Sequence, residues 1–471
     1  MRKRIYLIIL LVLLFITITT LTASKSAGND VNEIIDEQVT NVKSMIGLED
    51  NDENEPKDKY EIVTIEVSGY DQLKKEIEKH STWDNKSYIF NLNDGDYNIT
   101  STIICGSAHS DSQYTINGNG HVIDGQNKQQ FMELYSHLKI KDLTVQNTVP
   151  VESNSSSVIT METISELYVK NCNFINNHGI TKGSALTNRG TAYIVDSKFV
   201  NNGVDEVGGA IWSTGEYGGN ITIKNSQFVE NTANKQENND RTSIIYMVSK
   251  GNNTIENNKF INNNGRCIHC FNQTNTSVIN NEFTNNIMKE DEVIRGGIID
   301  NYEADILIKS NKFNNDTSYG ELRGGLLYHE IGNMEFVDNK VENINIKMDP
   351  SSKSNCSKGG VIFNRNATVK IEGNEFNNVL VGNYSRGGVI YNNLGEISLN
   401  NNKFSNKLDG NNISGLIVFN DVNSVLNIGN NTYDTNYTGS VEGNTDNERL
   451  FFNSDVKNDD GDGTIGITNY Y

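Results

Sequence analysis

Five aromatic residues recur in one local context of this chain, each directly after an apolar pair that follows a turn: Trp212, Tyr246, Tyr328, Phe363 and Tyr391. The surrounding segments read Gly208-Gly209-Ala210-Ile211-Trp212, Gly324-Gly325-Leu326-Leu327-Tyr328, Gly359-Gly360-Val361-Ile362-Phe363 and Gly387-Gly388-Val389-Ile390-Tyr391, with Thr242 to Tyr246 as a degenerate copy. His269 and Asp300 occupy the same position in two further copies. If the constant aliphatic residue points inward on a strand, its neighbour points outward. The rings then form one outward column, and flat rings stack on sugar rings or on a partner protein. Arg295, Arg323, Lys358 and Arg386 stand just before the glycines, so a basic stripe suited to an anionic glycan flanks the column.

Catalytic chemistry is poorly represented. Cleavage of a glycosidic bond needs two carboxylates at a set separation. The best pair is Asp205 and Glu206 near Trp212, in a turn-like context. No Asp-Asp pair lies in a strand context, and neither Gly-His-Gly nor a placed Arg-x-Lys occurs. Asn444-Thr445-Asp446 stands alone, and Asp459-Asp460-Gly461-Asp462-Gly463 lacks the ligand spacing of a calcium loop. Cys267-Ile268-His269-Cys270 has the outline of a metal or redox motif, but in a strand residues three apart point to opposite faces. Five cysteines, an odd and scattered set, do not make a disulfide scaffold. The sequence predicts no catalytic residue, no metal and no cofactor.

The elements that position the column repeat along the chain. An anchor residue recurs at Phe174, Phe199, Phe228, Phe260, Phe283, Phe313, Val341, Phe376, Phe404 and Tyr433, with intervals of 23 to 35 residues. Five residues before each anchor stands an apolar residue, from Val169 and Ile194 to Leu399 and Ile428, and seven before it another is usual. Apolar residues two apart with polar neighbours describe short strands with one buried face. Such strands are too short to stand alone, so each coil must be stabilised by its neighbours. The pattern predicts an all-β, right-handed parallel β-helix, since parallel crossovers are overwhelmingly right-handed.

Asparagine is the second signal: 74 of 471 residues, beside 40 Gly and only three Pro. Asn tolerates left-handed backbone better than most residues, which suits many tight turns. Two residues before the anchor stand Asn258, Asn281, Asn311, Asn339, Asn374, Asn402 and Asn431, with Cys172, Ser197 and Ser226 in the earlier repeats. One polar type in constant phase predicts a ladder of stacked amides.

Residues 1–27 carry a basic start, an apolar run and small residues, the pattern of an export signal or of an uncleaved N-terminal membrane anchor. An acidic linker is expected over 28–60, and the β-helix over 61–471, with a capping helix at about 70–80 whose Ser68 and Asp71 have capping-box spacing. A net charge of −20 argues against nucleic acid as a partner. At the other end, Ile465 and Ile467 fit the inward positions of a last rung and Asn469 its turn, an edge that implies either a shortened member of a longer family or a docked chain, a second copy among the candidates.

The alternation of Gly-Gly-apolar-Ile strands with segments such as Phe199-Val200-Asn201-Asn202 and Phe228-Val229-Glu230-Asn231 resembles the repeats of chlamydial polymorphic membrane proteins. The Asn/Thr-rich style, basic-apolar N-terminus and acidic linker are similar to adhesin-like surface proteins of methanogenic archaea with a pectin-lyase-like β-helix. The resemblance implies an extracellular or cell-surface protein that contacts glycans or surface proteins, with membrane contact only through its N-terminal segment. A polysaccharide lyase or glycoside hydrolase on the same scaffold is the alternative.

Overall fold

The computed structural model describes residues from Glu61 onward; residues 1–60 and several loops, among them 151–157, 234–241, 348–356 and 455–463, lie outside the described residues. The expected signal or anchor segment and the acidic linker therefore fall outside them, as do Glu206, Cys356, Asn444-Thr445-Asp446 and the Asp459–Gly463 loop. Among the described residues, no helix is long and apolar enough to cross a membrane.

The chain winds into a right-handed parallel β-helix, as the repeat predicts. Three long parallel sheets of 15, 12 and 13 strands run along it, and every strand pairs with its equivalent one coil away. The first sheet holds the residues seven and five before each anchor: Leu167, Val169, Ile221, Ile223, Ile397 and Leu399 are all buried. The second holds the anchors themselves on strands of three residues, such as Asn173–Ile175 and Gln227–Val229. The third carries the strands after the paired glycines. One continuous core joins all three sheets.

Anchors meet face to face inside that core. Phe199 and Phe228 lie 4.7 Å apart at 3°, and Phe228–Phe260, Phe260–Phe283 and Phe283–Phe313 follow at 4.8–4.9 Å. Where the anchor shrinks to Val341, Phe336 on the neighbouring sheet fills the gap, 6.2 Å from Phe313 and 6.1 Å from Phe376. The volume is conserved by moving the ring from one sheet to the next.

The corners explain the asparagines. Between the first two sheets, Asn171, Asp196, Asn225, Asn257, Asn280 and Asn401 have φ of 52–56°. After the anchor, Asn176, Asn201, Asn262, Asn285 and Asn315 have φ of 51–58°. Beside each corner runs a buried ladder. From Asn258 to Asn431, every Nδ2 donates to the Oδ1 of the next coil at 2.9–3.1 Å. The same oxygens accept the preceding coil's backbone N–H, and each Nδ2 also reaches a carbonyl of that coil, as Asn281 does to Ile255 at 2.8 Å. Ser226, Ser197 and Cys172 continue the line. Each net bond is worth about 1 kcal/mol, and leaving one unmade would cost more.

The paired glycines have two separate tasks. The first takes a left-handed φ, 76° at Gly324 and 71° at Gly387. The second faces the next coil at close range: a Cβ on Gly325 would lie 2.4 Å from the carbonyl oxygen of Gly360.

A helix, α1 (Tyr70–Lys79), stands where the cap is expected and buries Tyr70, Leu73 and Ile77 in the core. Its N-terminus differs from the expected capping box. Gly69 is the cap residue at φ 101°, no side chain caps it, and Gln72 instead accepts from the Ser68 backbone N–H at 2.8 Å. Asp71 turns away to accept from the Thr100 hydroxyl at 2.7 Å. The cysteine reading also needs correction: Cys267 and Cys270 do not face opposite ways, but both lie fully buried in the core as free thiols. Cys267, at the start of the strand Arg266–Phe271, lies in the core beside Ile268, as Ile298 does beside Ile299. Burial pushes the Cys270 thiol up to about 12, so it stays protonated.

Two titratable groups interrupt buried polar ladders. A second ladder, three residues after the anchor, runs Asn177, Asn202, Asn231, Asn263 and Asn286 and ends on Asp316, whose Oδ1 accepts from Asn286 at 3.0 Å. The next residue in phase is Ile344. Asp316 Oδ2 has no hydrogen-bond partner among the described residues, and desolvation raises the carboxyl to about 7. In a third buried line, His329 Nδ1 lies 2.9 Å from Asn301 Nδ2, and burial lowers this histidine to about 4.

Two outcomes follow for stability. Phe336→Ile should cost about 1–3 kcal/mol in chemical unfolding, and adding Val341→Phe should recover much of it; strictly additive effects would show that the two columns do not share one volume. Asp316 keeps its proton better folded than unfolded, so its contribution is full below about pH 4 and lost as pH rises through 7. Asp316→Asn should therefore match the parent near pH 4 and exceed it by up to about 4 kcal/mol at pH 8. His329 acts with the opposite slope, losing stability as pH falls from 6.5 toward 4.

Candidate ligand-binding face

The outward column forms as the spacing predicts, on the outer face of the third sheet. Trp212, Tyr246, His269, Asp300, Tyr328, Phe363 and Tyr391 occupy one register position on successive strands. Two more rings extend it, Phe419 and Phe452. Phe419 follows Gly415-Leu416-Ile417-Val418, where leucine replaces the second glycine, which hides it from a Gly-Gly search. Tyr328, Phe363, Tyr391 and Phe419 form a cluster of their own, separate from the core.

Their faces are not open. Tyr328–Phe363, Phe363–Tyr391, Tyr391–Phe419 and Phe419–Phe452 stack at 5.1–5.2 Å. Tyr328 and Tyr391 are 0% exposed and Phe363 3%. At Phe363 and Tyr391 a sugar ring has no face to lie on, because neighbouring rings occupy both sides; at Tyr328 Phe363 stacks on one side and Arg295 stands over the ring. Trp212 and Tyr246 stay half-buried. The edges of the stack are polar. The Tyr328 hydroxyl donates to Glu330 and the Tyr391 hydroxyl to Asp421. Glu330 also pairs with Arg365 at 3.6 Å, and Asp421 accepts from Asn393 at 2.9 Å. Burial, then the adjoining carboxylate, raises both phenols far above the usual range.

At the break in the column, His269 stacks on Tyr246 at 4.6 Å and its Nδ1 lies 3.0 Å from Asp300 Oδ2. Arg266, in the place of a second glycine, brings its guanidinium within 3.9 Å of that carboxylate and donates to the carbonyls of Gly296 and Thr242. The trio has acid–base character, but all three side chains are buried.

The cations stand on the rings. Arg295 lies 5.7 Å from the Tyr328 ring centroid, Lys358 5.2 Å from Tyr391, and Arg386 5.5 Å from Phe419. Lys182 repeats the arrangement over Trp212 at 4.4 Å. Each cation sits over the ring of the following coil, a cation–π contact. Arg295, Arg323, Lys358 and Arg386 are in strand register with one another. Arg386 is exposed and the other three half-buried. Asp205 pairs with His178 at 3.5 Å on the surface. Among the described residues no cluster of His, Cys, Asp or Glu could hold a metal ion.

No protein-family model matches the chain, and no curated protein matches it by sequence. Solved structures do. PfbA, a surface adhesin of Streptococcus pneumoniae, aligns over 74% of this chain and 88% of its own at 12% identity and a TM-score of 0.32. The alginate lyase AlyF-OU02, in complex with G6, aligns over 87% and 91% at 13% identity and 0.41. The periplasmic alginate epimerase AlgG aligns over 86% and 85% at 10% identity and 0.23. What they share with this chain is the parallel β-helix.

Because the Tyr391 ring is buried in the stack, Tyr391→Ala should cost about 3 kcal/mol in urea unfolding, whereas Arg386→Ala should stay within about 1 kcal/mol. Equal small losses would show that the column carries no packing load.

Proposed function

We propose that this is an exported, surface-held, adhesin-like protein that binds anionic glycans without cleaving them. The observation that carries the reading is the in-register line Arg295–Arg323–Lys358–Arg386, standing on a rigid ring stack in a chain of net charge −20. Cations gathered on one line of an acidic surface are aimed at a partner rather than at bulk solubility. The ring stack beneath holds three of them: Arg295, Lys358 and Arg386 each lie against a ring, which lowers the entropy lost on binding. The apolar, basic-flanked N-terminal 27 residues support export, and the repeat style supports kinship with the adhesin-like proteins of methanogenic archaea. Surface proteins bearing acidic glycans are partners of the same class.

An enzyme on this scaffold is the second reading, and the His269–Asp300–Arg266 trio is the chemistry that would serve it. Burial of all three side chains favours binding over cleavage.

On an array of acidic and neutral glycans, the full chain should bind acidic members, and Arg323→Glu with Arg386→Glu should weaken that binding at least about tenfold and reduce its salt dependence. Binding unchanged by the double substitution, or release of new reducing ends, would overturn the proposal.

A further inference from the structure

We infer that Asn220, Asn252 and Asn275 form an acceptor row for N-linked glycans on the outer face of the 15-stranded sheet. The donor is a lipid-linked glycosyl phosphate met during export. The inference therefore rests on the export part of the reading above and on none of its anionic-ligand part.

Register carries the argument. At one outward position of that sheet, five successive strands hold Thr191, Asn220, Asn252, Asn275 and Asp305. Two residues on, the same strands hold Tyr193, Thr222, Thr254, Ser277 and Leu307. Asparagine and hydroxyl enter together and leave together, so three consecutive coils carry Asn-x-Ser/Thr in a single phase. Residues two apart on a strand share a face. Here that face is the outer one. Asn252 and Asn275 are exposed, and Asn220, Thr222, Thr254 and Ser277 are half-buried. The middle residues Ile221, Asn253 and Thr276 point inward.

The two uses of asparagine found elsewhere in the coil do not explain the row. None of the three has the left-handed φ of the corner asparagines. Nor do they form a ladder through Nδ2: among the described residues no hydrogen bond takes up these amide nitrogens or the three hydroxyls. Asn315, which also precedes a threonine by two, differs, because its Nδ2 donates to Asn285 at 2.8 Å and a sugar there would break that bond.

Transfer needs that free nitrogen. Nδ2 forms the bond to the anomeric carbon, the bond from that carbon to the lipid phosphate breaks with its electron pair on the phosphate, and one amide proton is released. Oδ1 is not consumed, so the Asn252 backbone N–H keeps its 2.9 Å bond to Asn220 Oδ1. Coils repeat at about 4.8 Å, so glycans on adjacent coils crowd one another, and Asn220 and Asn275 are the pair filled together.

The full chain, with its own N-terminus, is expressed in a eukaryotic secretory host whose transferase modifies Asn-x-Ser/Thr. Enzymatic release of the glycans converts each occupied Asn to Asp, which a peptide map then locates. Glycan is expected on Asn220 and Asn275 of the exported chain. The triple variant Thr222→Val, Thr254→Val, Ser277→Ala should lose it from the row while unfolding at the same denaturant concentration, since those hydroxyls hold nothing in the coil. An exported chain bare at all three asparagines, or glycan that persists on the row in the triple variant, would overturn the inference alone. A chain that never leaves the cytosol would overturn the export reading, and the row with it.

Discussion

Translation by one coil is the constraint on which this protein depends. A side chain at a given phase meets its own counterpart above and below, so each residue type must tolerate stacking on itself. Phenylalanine does so through parallel ring faces in the core, and asparagine through an amide that donates upward and accepts from below. The amide solution matters most, because the corners bury polar groups that no water can satisfy. Coil length varies from 23 to 35 residues because only the phase of the stacked positions is constrained, while the loops between them are free to differ.

The same translation organises the outer face. Rings that would be isolated surface aromatics on a globular domain become a continuous stack, whose faces are spent on one another. What remains at the surface is what stands on the rings or at their edges: guanidinium and ammonium groups on one side, phenol hydroxyls and carboxylates on the other.

Departures from the repeat are informative for the same reason. Val341 is compensated by Phe336, a change that leaves the volume filled. Asp316 and His329 are not compensated in this way: each leaves a titratable group in a buried ladder, one losing stability toward alkali and the other toward acid. Their opposite slopes overlap between about pH 4 and 6.5, where each offsets part of the other.

The coil, its anchors and the first amide ladder were legible in the sequence, because inward phases and ladder phases are periodic and local, and Asn258 to Asn431 hold one offset from the anchor. The second ladder was equally periodic, at Asn177 to Asn286, yet only burial separates it from the exposed asparagines one residue earlier. The outward column was also readable as a line of residues. Its closure was not, because the exposure of Tyr328 or Tyr391 depends on which rings and cations the neighbouring coils bring alongside, and those lie some 28 to 35 residues away. Sequence determined which side chains share a line; the stacking of coils decided that the rings would be buried and that the cations would stand against them at the surface.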